Sequence, residues 1–215
     1  CKMDCGGYFI IKGSEKTVLG QERAAENRIY CFDGKNTTKW EYVAEIKSVP
    51  DFKCISPKQV EMMISCKNNG FGNSIYVSIP RIKQPIELFA LFRAIGVNTD
   101  KEICEYIVLD IEKDKNKEIL EFLKASIIDG NKYTDYQSSL AHITTYAAYN
   151  PINMDRETGH KKKTEFTLEI LENDLFPHCK TKAQKIYFLG YMANRLIRTG
   201  LGWIPTDDRD SYLNS

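Results

Sequence analysis

Ser74-Ile75-Tyr76-Val77-Ser78-Ile79-Pro80-Arg81-Ile82-Lys83-Gln84-Pro85-Ile86-Glu87-Leu88-Phe89-Ala90-Leu91-Phe92-Arg93-Ala94-Ile95-Gly96 contains the point at which the chain changes its period. Ser74 to Ile79 reads as a β-strand, and Pro80 and Pro85 punctuate the passage that follows. From Ile86 the apolar residues crowd at helical spacing (Ile86, Phe89, Ala90, Ala94, with Leu88, Leu91, Phe92 and Ile95 beside them). That predicts a short, heavily buried helix stopped at Gly96.

Upstream of this stretch the period is two. Tyr8-Phe9-Ile10-Ile11, Lys12-Gly13-Ser14-Glu15 and Thr17-Val18-Leu19 read as strand, turn and strand. Arg28 to Phe32 is a further short strand. Trp40, Tyr42, Ala44 and Ile46 alternate with Glu41, Val43, Glu45 and Lys47, the pattern of a half-buried strand. Gln59 to Cys66 pairs naturally with Ser74 to Ile79 across an Asn/Gly-rich loop, Lys67 to Asn73.

Downstream the helical period holds. Thr99-Asp100-Lys101-Glu102 predicts a capped helix carrying Ile103, Tyr106 and Ile107. Ile119, Leu120, Leu123 and Ile127 mark another, closed near Gly130. Thr134-Asp135-Tyr136-Gln137 reads as a second capping box, before Leu140, Ile143 and Ala147. Phe166, Ile170 and Leu171 form the next stripe, stopped by Pro177. Thr181 opens the last helix, with Ile186, Leu189, Ala193, Leu196 and Ile197 inward. Strands first and helices second is the α+β pattern, with no strand–helix alternation of the kind that builds a doubly wound nucleotide-binding sheet. Gly34 to Lys39, Lys67 to Asn73 and Asn150 to Lys163 read as the mobile loops.

Composition narrows the function classes. The 215 residues carry a formal charge of +1 and 42% hydrophobic residues, enough for a substantial core. No apolar run approaches the ~18–20 residues of a membrane span. A stand-alone nucleic-acid-binding domain usually carries a basic excess, which is missing here. Seven cysteines, an odd number at irregular spacings, argue for free thiols in a reducing compartment. Cys31, Cys66 and Cys104 are expected to be packed among apolar neighbours.

Candidate chemistry is sparse. His142, His160 and His178 fall in no catalytic or zinc-binding motif. His160-Lys161-Lys162-Lys163 has no interleaved aromatic residue to stack bases, and reads as a solvated loop with Thr164 capping the helix after it. Asp207-Asp208-Arg209-Asp210 could attract a hard cation, but consecutive carboxylates cannot all face one ion without a sharp backbone turn. Arg209 would also compete as their partner, so a structural ion-pair cluster is the expectation.

Several long strings carry a resemblance. They are Gly6-Gly7-Tyr8-Phe9-Ile10-Ile11-Lys12-Gly13-Ser14-Glu15-Lys16, Gln21-Glu22-Arg23, Lys185-Ile186-Tyr187-Phe188-Leu189-Gly190-Tyr191-Met192, Asn194-Arg195-Leu196 and Asp207-Asp208-Arg209-Asp210-Ser211-Tyr212. Val43 to Ser48, Ile79 to Ile86, Leu91 to Gly96 and Leu175 to His178 add to them. As a set they resemble the second-largest subunit of multisubunit DNA-directed RNA polymerases, in its eukaryotic or large-DNA-virus form. The match is weak from Tyr133 to Lys163, and Gly200-Leu201-Gly202-Trp203-Ile204-Pro205 departs from it.

The resemblance implies a strip of the subunit's protrusion over residues 1–23, the lobe over 24–205, and an acidic exit segment over 206–215. Cys1 at the start and the acidic cluster near the end fit an excerpt. It further implies no catalytic residue and no cofactor in this stretch, the polymerase magnesium being held elsewhere, mainly by the largest subunit. The expected role is a wall of the DNA cleft and a docking surface. Other polymerase subunits, initiation factors, DNA and RNA would be the partners, with no membrane. The location would be nuclear, or cytoplasmic or virion if viral. Lys16 would lie near the nucleic-acid backbone, with a solvated hairpin lysine as the competing reading. Arg23 would pair with a carboxylate and, with Asp207, Asp208, Arg209 and Asp210, serve structure. The contrasting hypotheses are a free-standing protein-interaction module and a small enzyme with an unrecognised site.

Overall fold

The computed structural model describes residues 2–20, 24–34, 39–51, 53–149 and 155–208. The chain divides into two compact units, residues 1–25 with 208–215, and residues 26–207. The described residues are α+β: antiparallel strands come first and six α-helices follow.

In the first unit, β1 (Tyr8–Ile11) and β2 (Ser14–Thr17) form a hairpin in the register Tyr8↔Thr17 to Ile11↔Ser14. The turn is tighter than expected. Only Lys12 and Gly13 lie outside the strands, both with positive φ (52° and 76°), so Ser14 and Glu15 belong to β2. Two consecutive left-handed residues match the right-handed twist of the flanking strands. The pairing ends at Thr17, leaving Val18 and Leu19 outside β2.

In the second unit, β3 (Tyr30–Asp33), β4 (Trp40–Ser48), β5 (Lys58–Asn68), β6 (Asn73–Ser78) and β7 (Ile86–Glu87) form one antiparallel sheet in chain order. A single row of partners crosses it: Cys31↔Ala44, Ala44↔Met62, Met62↔Val77 and Val77↔Ile86. Every member of that row is buried. The period of two puts Ile46, Val60, Ile64 and Ile75 on the same buried face. A one-residue slip would turn this set toward water, so burial fixes the register.

The helices are α1 (Leu88–Ile95), α2 (Asp100–Val108), α3 (Lys117–Gly130), α4 (Tyr136–Tyr146), α5 (Arg156–Asn173) and α6 (Lys182–Gly200). Ile86 joins the sheet, and the helix begins at Leu88. All eight residues of α1 are buried, Arg93 included. Gly96 ends the helix in the left-handed conformation (φ 104°), its amide donating to the Phe92 and Arg93 carbonyls. Arg93 makes burial of its charge tolerable by donating to the Gly130 and Tyr133 carbonyls (2.6 Å each) and pairing with Asp100. One side chain thereby holds α1, α2 and the end of α3 together.

The caps refine the expected starts. Thr99 accepts from the Glu102 amide, and Thr181 forms a full capping box with Gln184. The cap of α4 is Asp135 rather than Thr134, its amide donating to Ser138 Oγ at 3.1 Å. The larger correction concerns α5, which starts at Arg156 and takes His160 to Lys163 and Thr164 into its interior. Thr164 caps nothing; its hydroxyl donates to the His160 carbonyl four residues back. Charged residues on three sides hide the helical period of this segment, because only Gly159, Thr167, Ile170 and Leu171 are buried.

Candidate functional site

Asp207 is half-buried at the end of the second unit. Its carboxylate accepts from the Cys31 amide (2.8 Å) and lies 3.5 Å from Arg195 Nη2. Its own amide donates to the Cys31 carbonyl at 2.7 Å. Asp208 is exposed. Arg23, Arg209 and Asp210 lie outside the described residues. Among the described residues no group of three His, Cys, Asp or Glu side chains is placed to hold a metal ion.

Lys16 stands on β2 opposite Phe9 and is exposed, as is every residue of the hairpin. The hairpin leaves large apolar side chains in water, with Phe9 55% and Ile10 70% exposed. His160, Lys161 and Lys162 are exposed on α5, and Lys163 Nζ donates to the Thr145 carbonyl (3.1 Å).

Most buried ionisable groups serve the scaffold. Asp174 pairs with Arg81 and with Lys58 (3.2 Å). Lys185, whose ammonium is pushed below its usual range by burial, donates to the carbonyls of Leu171 (3.1 Å) and Glu172. His178 Nδ1 lies 2.6 Å from the Ser48 hydroxyl, whose oxygen accepts the His178 amide (3.3 Å). His178 Nε2 is buried without a hydrogen-bond partner among the described residues, and the ring meets Phe188 edge-on at 4.6 Å.

Two surface recesses stand out. The first, of about 700 Å³, lies among β4, β5, β6 and α4. Its acid–base groups are already engaged: His142 Nε2 lies 2.9 Å from Glu87, and Asp129 accepts from Ser74 and Tyr76. Burial, with the Asp129 and Glu87 carboxylates, pushes the Tyr76 phenol up to about 12. Lys39 lies over the Trp40 ring at 4.8 Å. Among the described residues no serine, cysteine or lysine nucleophile is paired with the His142 imidazole, which also stacks on Tyr133 at 3.9 Å.

The second recess, of about 650 Å³, lies between the C-terminal end of α2 and the outer face of α6. Tyr106 and Tyr187 meet edge-to-face at 4.9 Å, and Tyr187, Tyr191, Trp203 and Leu109 are all substantially exposed. Lys113, Lys115 and Arg198 also line it. The walls are close-fitted. A Cβ on Gly190 would stand 2.3 Å from the Tyr106 carbonyl oxygen, so only glycine lets α6 approach α2 this closely. Asn194 Nδ2 donates to the Ile107 carbonyl (2.9 Å), and Asn116 Nδ2 to those of Val108 (3.3 Å) and Asp110 (2.6 Å). The inward stripe of α6 does not report this groove, which lies on the helix's outer face. The available signal was Tyr187 and Tyr191, four residues apart on the opposite face.

Residues 25–215 match the family described as RNA polymerase Rpb2, domain 2. The chain is 37% identical over 218 residues to DNA-directed RNA polymerase II subunit RPB2 of Encephalitozoon cuniculi, covering 99% of the chain and 18% of that protein. It is 32% identical over 224 residues to DNA-directed RNA polymerase II subunit 2 of Arabidopsis thaliana (100% of the chain, 18% of that protein). Against DNA-directed RNA polymerase subunit 2 of Acanthamoeba polyphaga mimivirus the identity is 27% over 237 residues (100% and 19%). The chain thus spans less than a fifth of the relatives it matches. With an α+β domain and a match that runs through it from end to end, the chain belongs to the second-largest RNA polymerase subunits, in their Rpb2 domain 2 family.

Proposed function

We propose that this chain is the lobe region of its polymerase subunit, walling the DNA cleft and giving other subunits and initiation factors a surface to dock on. It takes no part in the chemistry of nucleotide addition. The observation that carries the reading is the match of residues 25–215 to a single domain of second-largest polymerase subunits. The engagement of Arg93, Asp174, Asp207 and Lys185 in scaffold contacts supports it, because groups so held are poor candidates for moving protons. The magnesium of the reaction would be held elsewhere in the parent complex, and this stretch would bind no cofactor of its own. The enzyme would work in the nucleus, or in the cytoplasm or virion of a viral system.

In this reading Lys16 supplies a point charge to a phosphate of the DNA or RNA in the assembled enzyme. A photoreactive amino acid in place of Lys16, in a reconstituted elongation complex, tests it. Crosslinks to DNA or RNA are expected. Crosslinks confined to protein would remove the nucleic-acid contact from the proposal.

A further inference from the structure

We propose that the groove between α2 and α6 is a docking site for an extended acidic segment of another polypeptide, one that carries an aromatic or aliphatic anchor among its carboxylates. The inference rests on the reading of this chain as a docking surface within a polymerase, and adds where the contact lies and what chemistry the partner has.

Charge is the first argument. The residues lining the groove include one carboxylate, Asp110, which Lys113 matches at 3.1 Å. Among the described residues Lys115 and Arg198, both exposed and both lining the groove, have no such partner. The groove therefore carries a local positive excess in a chain whose formal charge is only +1. A planar guanidinium beside aromatic rings suits a carboxylate, which it can grip at two oxygens.

Apolar surface is the second argument. Leu109 is 74% exposed, Tyr187 55%, Tyr191 54% and Trp203 42%, and all four face the same recess. Aromatic side chains beside an arginine are the composition of interface hot spots. The walls, pinned by Asn194 and Asn116, need little rearrangement to receive a ligand.

Single-stranded nucleic acid also favours aromatic and basic surfaces, but the groove suits it less. Two uncompensated cations would release few counterions, and phosphate affinity grows with that number. Tyr187 meets Tyr106 edge-on at 4.9 Å, so one edge of its ring is already taken.

The test is fluorescence anisotropy on the full 215-residue chain. The probe is a labelled synthetic peptide of aspartates interrupted by one Phe and one Leu. Controls are the same peptide with Asn for every Asp, the same peptide with Ser for Phe and Leu, and an oligouridylate of equal length. The acidic anchored peptide is expected to bind best. Arg198→Glu should weaken it by about tenfold or more, Tyr191→Ala should weaken it too, and Arg198→Lys, which keeps the charge but loses the two-oxygen grip, should weaken it less than Arg198→Glu. Both positions are exposed, so unchanged melting curves would show the variants folded. No saturable binding, binding untouched by Arg198→Glu, preference for the Asn peptide or for oligouridylate, or self-association of the chain through this face would each overturn the proposal. If Lys16 crosslinks to nucleic acid while the peptide finds no site, the cleft-wall reading stands and the groove falls.

Discussion

Asp207 and Cys31 exchange two hydrogen bonds: the Cys31 amide donates to the Asp207 carboxylate at 2.8 Å, and the Asp207 amide donates to the Cys31 carbonyl at 2.7 Å. β3 is the edge strand of the five-stranded sheet, and Asp207 covers the outward-facing groups of Cys31 on that edge. An edge left open is a template for pairing with another chain. The cover comes from the other end of the unit's sequence, so the contact also ties its two termini.

Asp207→Ala should therefore destabilise the second unit. It orphans the Cys31 amide and takes the carboxylate from Arg195, at a cost of about 1–3 kcal/mol. Thermal unfolding followed by circular dichroism should move down by about 2–4 °C for each kcal/mol in a domain of this size. Asp207→Asn keeps an oxygen for the Cys31 amide and should cost less. Equal melting of all three proteins would reduce the clasp to a surface contact.

His178 gives the fold an acid-sensitive point. Burial lowers its pKa from 6.5, assisted by Lys185, while Asp51 works in the opposite direction. A charged ring would also carry a proton on the buried Nε2, which has no hydrogen-bond partner among the described residues. Between the lowered folded value and 6.5, the unfolded chain binds a proton that the folded chain does not, so stability rises with pH across that window. As pH falls below 6.5 the protein should lose stability, and this loss should level off below the folded value. Urea midpoints measured across that range should show the slope in the parent, and a shallower one in His178→Gln. Parallel slopes would assign the acid sensitivity to other groups.

The thiols should react at different rates. Cys5, Cys54 and Cys66 are exposed, whereas Cys31 and Cys104 are buried. The expectation that Cys66 is packed fails because the strand pairing shifts between Ile64 and Asn68, and Cys66 is carried to the surface beyond the buried row. Burial, with the Asp100 and Glu105 carboxylates, pushes the Cys104 thiol up to about 11, and burial raises that of Cys31. Alkylation of the folded protein should label Cys5, Cys54 and Cys66 first, with Cys31 and Cys104 protected by both access and protonation. After unfolding without reductant, mass analysis should find all seven thiols free. Early labelling of Cys104, or a shortfall by a pair, would contradict the packing.

What the sequence disclosed followed from which residues have one reading. Val77, Met62 and Ala44 lie in strands whose alternation permits a single buried face, and α1 is apolar throughout, so sheet and central helix were legible. The start of α5 was not, because His160 to Lys163 hide a helix whose inner face is marked chiefly by Gly159 and Thr167. The hairpin turn and the cap of α4 were each misplaced slightly, since Ser14, Thr134 and Asp135 all suit turns and caps equally well. The groove escaped for a different reason. It is assembled from the outer face of α6 and the loop after α2, segments far apart in the chain, and helical period reports only the face turned inward.

Lys16 is the residue whose removal separates contact from bystander. It is exposed on β2, opposite Phe9, with no ion-pair partner among the described residues. Lys16→Ala should leave the melting curve of the chain unchanged, because an exposed lysine contributes little to packing. In an assembled polymerase, a lysine that neutralises one phosphate releases about one counterion on binding. The variant's elongation complexes should then dissociate more readily at low salt, and the logarithmic dependence of their stability on salt should fall by about one. Replacement by Arg should restore both quantities, since the charge returns on a stem of similar length. An unchanged salt slope in Lys16→Ala would leave Lys16 a solvated hairpin side chain, whatever the change in overall affinity.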